Sequence, residues 1–487
     1  MDRQAAFSSD EMMAWIREMA AFGARRAGSP AGLANEDYLV AKLTEFGLAN
    51  VRKEPIPVEY YQPNTSLVEI DTGSGFKAFN SQWIPYCRFT PANGLESKLV
   101  FADSRAFSHS ADWSGKVVVT DIEFPILDVE LISKFAMGKH DPDDSIKDVK
   151  HPATWVRLGW HVYRKAFERG AIGFIGILKD QPGGSCQMYA PYGFKEKNIL
   201  DKPLPGFWVS QNDGPEIRSL AKNGASVRLT LTGERSPSVT HNVVGEIPGE
   251  TDESVILHCH HDSPFISPVE DASGCSVILA LARHFALGAK PRRNIVVLFT
   301  AGHFYGSIGT RRFIEEHADD VVPKVALEIT VEHVAKEAIE NETGELVESG
   351  RSEGTGVFLP FNQAMIDAVL VNLKDNGVDR VFLLPPEGPL GPYPPTDGGD
   401  WHLSGVPLVN FISNPVYLLN AEDDFHWVDQ PRLAKVTGAV AGIVQATEEL
   451  PRSSIAAVDF PLYKLKMKII RYIVNWKTTK FGTRPVY

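Results

Sequence analysis

From residue 239 onward the chain alternates short apolar runs with amphipathic stretches. That alternation restricts it to a buried, mixed, largely parallel sheet flanked by helices, an α/β fold. The expected strands are Asn242–Glu246, Val255–His258, Asn294–Thr300, Ala326–Val331 and Pro407–Ile412. The expected helices are Gly274–Leu287, Ser307–Glu316, Asn362–Asp375 and Gln430–Glu449. Residues 9–48 read as two more helices, the first capped by Ser9 and carrying the stripe Met12, Met13, Ile16, Met19. The second carries Tyr38, Leu39, Leu43 and Phe46, and an extended segment, Val51 to Tyr61, then runs into a turn at Pro63-Asn64.

Between residues 72 and 236 the texture changes to short strands and loops rich in Gly and Pro, with no His and acidic residues at metal-ligand spacing. This stretch reads as a separate α/β module without chemistry of its own. A chain of 487 residues exceeds one ordinary core, so two domains are expected. No apolar run reaches the roughly 18 to 20 residues of a bilayer span. The Met1-Asp2-Arg3-Gln4 start lacks the apolar centre of a signal peptide. Four cysteines without paired spacing fit a reduced, cytoplasmic setting, and a net charge of -12 argues against nucleic acid as a partner.

Three consecutive expected strands end in potential metal or proton-transfer groups. The first runs into Cys259-His260-His261-Asp262; in a His-x-Asp triplet the histidine can bind a metal while the aspartate orients its ring. Ten residues after His260, Glu270-Asp271 opens the helix at Gly274, where carboxylates can serve as caps or ligands. The second strand ends near His303 and the third at Glu332-His333. Strand-end polarity arises by chance once or twice; its repetition points to one site at the carboxyl edge of the sheet.

With these motifs the chain resembles the co-catalytic zinc exopeptidases, the family of leucyl aminopeptidases, carboxypeptidase Q and glutamate carboxypeptidase. Phe22-Gly23 and Arg26-Ala27-Gly28-Ser29-Pro30 look like that family's N-terminal helices, and His241-Asn242-Val243-Val244-Gly245-Glu246-Ile247-Pro248-Gly249 like the opening of its catalytic half. Gly170-Ala171-Ile172-Gly173 and Val209-Ser210 look like landmarks of an inserted protease-associated domain. The resemblance implies a catalytic domain of residues 1–71 and 237–450, an insert of 72–236 and an extension of 451–487. It carries the family's His-x-Asp onto His260 and Asp262, its bridging aspartate onto Glu270 or Asp271, and its later acidic ligand onto Glu332. The general-base glutamate falls on His303 and its neighbouring glutamate ligand on Phe304. The last histidine ligand falls on Leu419 without a gap, or on His426 after one.

The expected function is hydrolysis of an amide or peptide bond in a small molecule or short peptide. The cofactor is a divalent metal, zinc, with one ion rather than two because Phe304 cannot ligate. His260, Glu270, Asp271, Glu332 and His426 are the candidate ligands; His303, Asp262 and Glu270 are the candidate catalytic groups. His303 stands as ligand, base or structural residue. A single-metal enzyme of altered reaction, such as a cyclase, and a degenerate binding scaffold are the competing expectations. After Pro461, the stripe Leu462, Leu465, Ile469, Ile473 and Trp476 opposes Lys464, Lys468 and Arg471. Such a helix docks on the body or on a second copy in a homo-oligomer, in preference to a membrane.

Overall fold

The computed structural model describes residues 7–103, 112–153, 158–179, 181–190, 202–388 and 390–459, with Leu462, Leu465 and Ile469 of the tail. Its centre is a sheet whose catalytic half runs in the order Ser226–Ile247, Asn294–Thr300, Ser254–His260, Val325–Val331, Leu408–Ser413, Thr355–Phe358, Val381–Leu384. The inner pairs formed by Ser254–His260 with both neighbours, and by Val325–Val331 with Leu408–Ser413, are parallel. Their residues are buried on both faces, which explains why they read as unbroken apolar runs rather than as alternating strands.

Helices cover both faces. Gly274–Leu287 packs beneath the sheet against Ser9–Ala20 and Gln430–Glu448, with Ile278, Leu281, Met12, Ile16, Val440 and Val444 in one core. Phe313 of Ile308–Glu316 and Trp401 of Gly398–Ser404 close the opposite face against Val244 and Ile256. Each such fully buried side chain stabilises the fold by about 1.5–3 kcal/mol before entropy costs.

Two local expectations are corrected. Ser8, not Ser9, caps the first helix: its hydroxyl accepts from the Glu11 amide at 3.3 Å, and Ser9 is the first helical residue. Pro63-Asn64 makes no turn; the strand Ala49–Asp71 runs straight through, with a register shift between Pro63 and Thr65 absorbing the break.

Residues 72–236 supply most of a hydrophobic core of their own and are joined to the catalytic half by a continuous sheet. Ala49–Asp71 and Ser226–Ile247, of 23 and 22 residues, pair antiparallel along most of their length. The second of them crosses the expected boundary at 236/237, meeting Leu95–Phe101 at one end and Asn294–Thr300 at the other. One sheet therefore serves both halves. Part of the insert also returns to the catalytic side, where Gly138–His140 adds an antiparallel edge strand to Val381–Leu384. Leu462, Leu465 and Ile469 are exposed, so this part of the tail stripe is not docked on the body; the rest of the stripe lies outside the described residues.

Gly274 shows how tightly the central helix is set. A Cβ there would lie well inside van der Waals contact of the Val331 carbonyl and the Asp271 carboxylate. Gly274→Ala is expected to cost about 1–3 kcal/mol or more in denaturant unfolding, as overpacking does. A loss under about 0.5 kcal/mol would show that the helix start can shift.

Candidate metal centre

The strand Ser254–His260 delivers His260 to the carboxyl edge with its side chain fully buried. Its Nδ1 lies 3.1 Å from the main-chain carbonyl of Asp262. A carbonyl only accepts, so Nδ1 carries the hydrogen and Nε2 turns inward. The Asp262 carboxylate, which the sequence placed behind this ring, is 3.7 Å from Nδ1 and instead receives the amides of His303 and Phe304 at 3.0 and 3.4 Å. Asp262 thus ties two strand ends together without reaching the centre of the site.

His333 repeats the arrangement from the strand Val325–Val331. Its Nδ1 donates to the Ser413 carbonyl at 2.8 Å, and its amide donates to Asp271 Oδ1 at 3.1 Å. Glu270 lies between the two rings: Oε1 is 3.1 Å from His260 Nε2 and Oε2 is 2.6 Å from His333 Nε2. Two ring nitrogens that carry no hydrogen when neutral face one carboxylate, a contact made favourable by a proton on each ring or by a metal cation between them. His260 Nε2, His333 Nε2, Glu270 Oε2 and Glu332 Oε1 are all buried without a hydrogen-bond partner.

The electrostatics express the same demand for positive charge. Burial opposes the charged form of His333, but Glu270, Asp271 and Glu332 raise its pKa to about 10. His260 is likewise raised well above the usual range, burial being outweighed by Asp262 and Glu270. Burial would raise Glu270, yet His333 and His260 hold it below the ordinary carboxylate range. Glu332, raised by burial and by Asp397, reaches about 7. His260, Glu270 and His303 can present donor atoms within 4.8 Å of one another, as can His260, Glu332 and His333. Imidazole nitrogens and carboxylate oxygens are the donor types that hold zinc, so these residues fit one divalent ion.

Other expected residues have different duties. Asp271 accepts from the amides of Gly274 and His333 and from the Cys259 thiol at 3.1, 3.1 and 2.8 Å, and its Oδ2 lies 4.0 Å from His260 Nε2. His426 is not brought to the site: half exposed, it pairs with Asp424 at 3.2 Å and faces a separate surface groove near Arg17. Leu419 lines the cleft together with Glu270. Phe304 sets its ring edge against His260, with centroids 5.8 Å apart.

His303 sits on a short turn after its strand and stacks on His260 with centroids 4.1 Å apart. Its Nδ1 is 3.0 Å from Asp397 Oδ1, and this carboxylate outweighs burial and His260 to raise the ring's pKa. Sequence reasoning missed His333 as a participant, Asp397 behind His303, and Asp423. Asp423 receives the amides of Val269 and Glu270 at 3.0 and 2.9 Å and so fixes the Glu270 turn.

Residues 242–369 match the domain described as Peptidase family M28. The Arabidopsis thaliana protein named Probable glutamate carboxypeptidase AMP1 is 36% identical over 97 residues, 19% of this chain and 14% of that relative. The curated relatives it matches are longer proteins, of which the matched segments make up 14–22%. Among solved structures, the Bacillus subtilis zinc aminopeptidase BSAP aligns with a TM-score of 0.66 at 15% identity, covering 92% of this chain and 98% of that one. A Peptidase M28 precursor from Shewanella amazonensis gives 0.65 at 19% identity, covering 90% and 96%. At these identities the two structures establish the fold.

The geometry separates true ligands from sequence neighbours. Elemental analysis of His333→Ala should show the ion lost or weakened by more than roughly 100-fold, beyond the usual effect of removing a supporting contact. His426→Ala should keep full metal content. The reverse pattern would place the ion elsewhere.

Proposed function

We propose that this chain, whose residues 242–369 match peptidase family M28, hydrolyses an amide or peptide bond in a small molecule or short peptide at a single-zinc centre. His260, Glu270, Glu332 and His333 hold the ion. The observation that carries this reading is the pair of inward-turned Nε2 atoms meeting the Glu270 carboxylate, buried and without hydrogen bonds. When bound, a divalent ion supplies Lewis-acid polarisation of the carbonyl and acidifies water near neutral pH. One ion is favoured over two because Phe304 and Leu419 stand where the resemblance calls for ligands, and neither side chain can supply one.

The protein's own groups do the rest. Asp397 fixes the His303 ring through Nδ1, and the ring stacks on His260 at the cluster, placed for proton exchange there. Asp262 holds the His303 turn at its backbone, and Asp423 holds that of Glu270. These supports keep the donors in place before substrate arrives, so little reorganisation accompanies reaction. The cleft beside the cluster joins these polar groups to apolar walls, an arrangement that suits a small amide or the end of a short peptide. A reduced intracellular setting belongs to the same proposal, supported by four free, buried cysteines.

The scaffold reading finds less support. Six buried ionisable side chains around one point are costly to keep without an ion or a reaction to use them. A cyclase-type reaction would use the same centre, and a substrate screen separates it from hydrolysis by product.

His303→Ala should retain the ion and lose roughly a hundred- to ten-thousand-fold in turnover on the best amide substrate. Loss of the ion together with activity would make His303 a ligand. Wild-type turnover with full metal would remove it from the mechanism.

A further inference from the structure

The cleft has two walls of different origin. One belongs to the catalytic sheet and includes Phe358, Phe382 and Leu384. The other comes from the insert and includes Leu127, Val129 and Val149. The insert reaches the cleft by an excursion in which Ile126–Asp128 pairs antiparallel with Lys150–Pro152, Val129–Ser133 forms a short helix, and Gly138–His140 joins the edge of the catalytic sheet. Val129, Ile146 and Val149 share a hydrophobic core with Phe358, Phe382 and Leu384, so the two walls are one packed unit.

Buried polar contacts lock the excursion in register. Arg380 donates to the Ser145 hydroxyl and carbonyl at 2.8 and 3.3 Å, and to Glu337 at 2.7 Å. His151 meets Glu353 at 3.2 Å. Glu353 itself lines the cleft, and its other oxygen accepts from the Gly354 amide at 2.9 Å. The charged lining groups are Glu270, Glu332, Glu353, His303 and His333; among the described residues no Lys or Arg lines the cleft. A substrate carboxylate held between the apolar walls would lose its hydration and meet no Lys or Arg among the described lining residues.

We infer that the excursion of residues 126–152 is the specificity element of this site, and that it selects substrates presenting a large, uncharged, apolar group beside the scissile amide. The inference rests on the hydrolase reading for the word substrate, and on the cleft alone for the selection. It makes Val129 and Val149 specificity-determining residues contributed by the insert. It also sets this pocket apart from one built to hold a glutamate side chain.

The test uses the full, metal-loaded chain. Kinetics on acetamide, 4-methylpentanamide, 3-phenylpropanamide and succinamic acid would be paired with thermal-shift binding of the same four compounds. We expect kcat/KM for the 4-methylpentanoyl and phenylpropanoyl amides to exceed that for acetamide by about tenfold or more, in line with the value of filling an apolar pocket, with succinamic acid lowest. Val129→Trp and Val149→Trp should reverse the advantage of the larger groups while leaving acetamide turnover within about threefold of wild type. Binding that ranks the compounds in this order without any hydrolysis would sustain the selection and overturn the hydrolase reading. Hydrolysis or binding indifferent to the apolar group, or best with succinamic acid, would overturn the selection; the wild-type ranking decides this even if neither tryptophan variant folds.

Discussion

The architecture of the site depends on two backbone carbonyls. Those of Asp262 and Ser413 take the Nδ1 hydrogens of His260 and His333 and thereby turn both Nε2 atoms onto Glu270. Each carbonyl is itself held in place by a further contact. The Asp262 loop is held by bonds to the His303 turn, and the Ser413 hydroxyl donates to the His333 carbonyl. Without this orientation the cluster would relax into ordinary ion pairs and hydrogen bonds. With it, the Glu270 and Glu332 carboxylates and two inward-turned imidazoles meet at a point suited to a cation.

The parallel sheet is what makes such an arrangement possible. Neighbouring strands finish at the same edge, so His260, His303 and Glu332, distant in the chain, arrive within reach of one another. The helix at Gly274 then begins directly under that edge, close enough for Asp271 to bond both its first turn and the His333 amide. Asp271 is therefore a structural carboxylate next to a functional one, and the division between them follows from which way each side chain leaves the turn.

Much of this was legible in the chain. The central strands are continuous apolar runs, and their polar ends mark the edge where His260, Glu270, His303 and Glu332 gather. His333 escaped notice because successive strand residues point to opposite faces, so Glu332 and His333 should diverge. A φ of 62° at His333 breaks the alternation and brings both to one cluster. Asp397 and Asp423 lie in loops without periodicity, where no pattern ties them to a strand end. The excursion of residues 126–152 was hidden for a related reason: short strands such as Gly138–His140 acquire their meaning from the distant partner they join.

The account stands on a single ion held by four named side chains. Crystals of the zinc-loaded protein, with anomalous diffraction recorded at the zinc edge, test this directly. The expected result is one peak enclosed by His260, Glu270, Glu332 and His333. Two peaks in the cluster, or none there with zinc bound elsewhere on the chain, would contradict it.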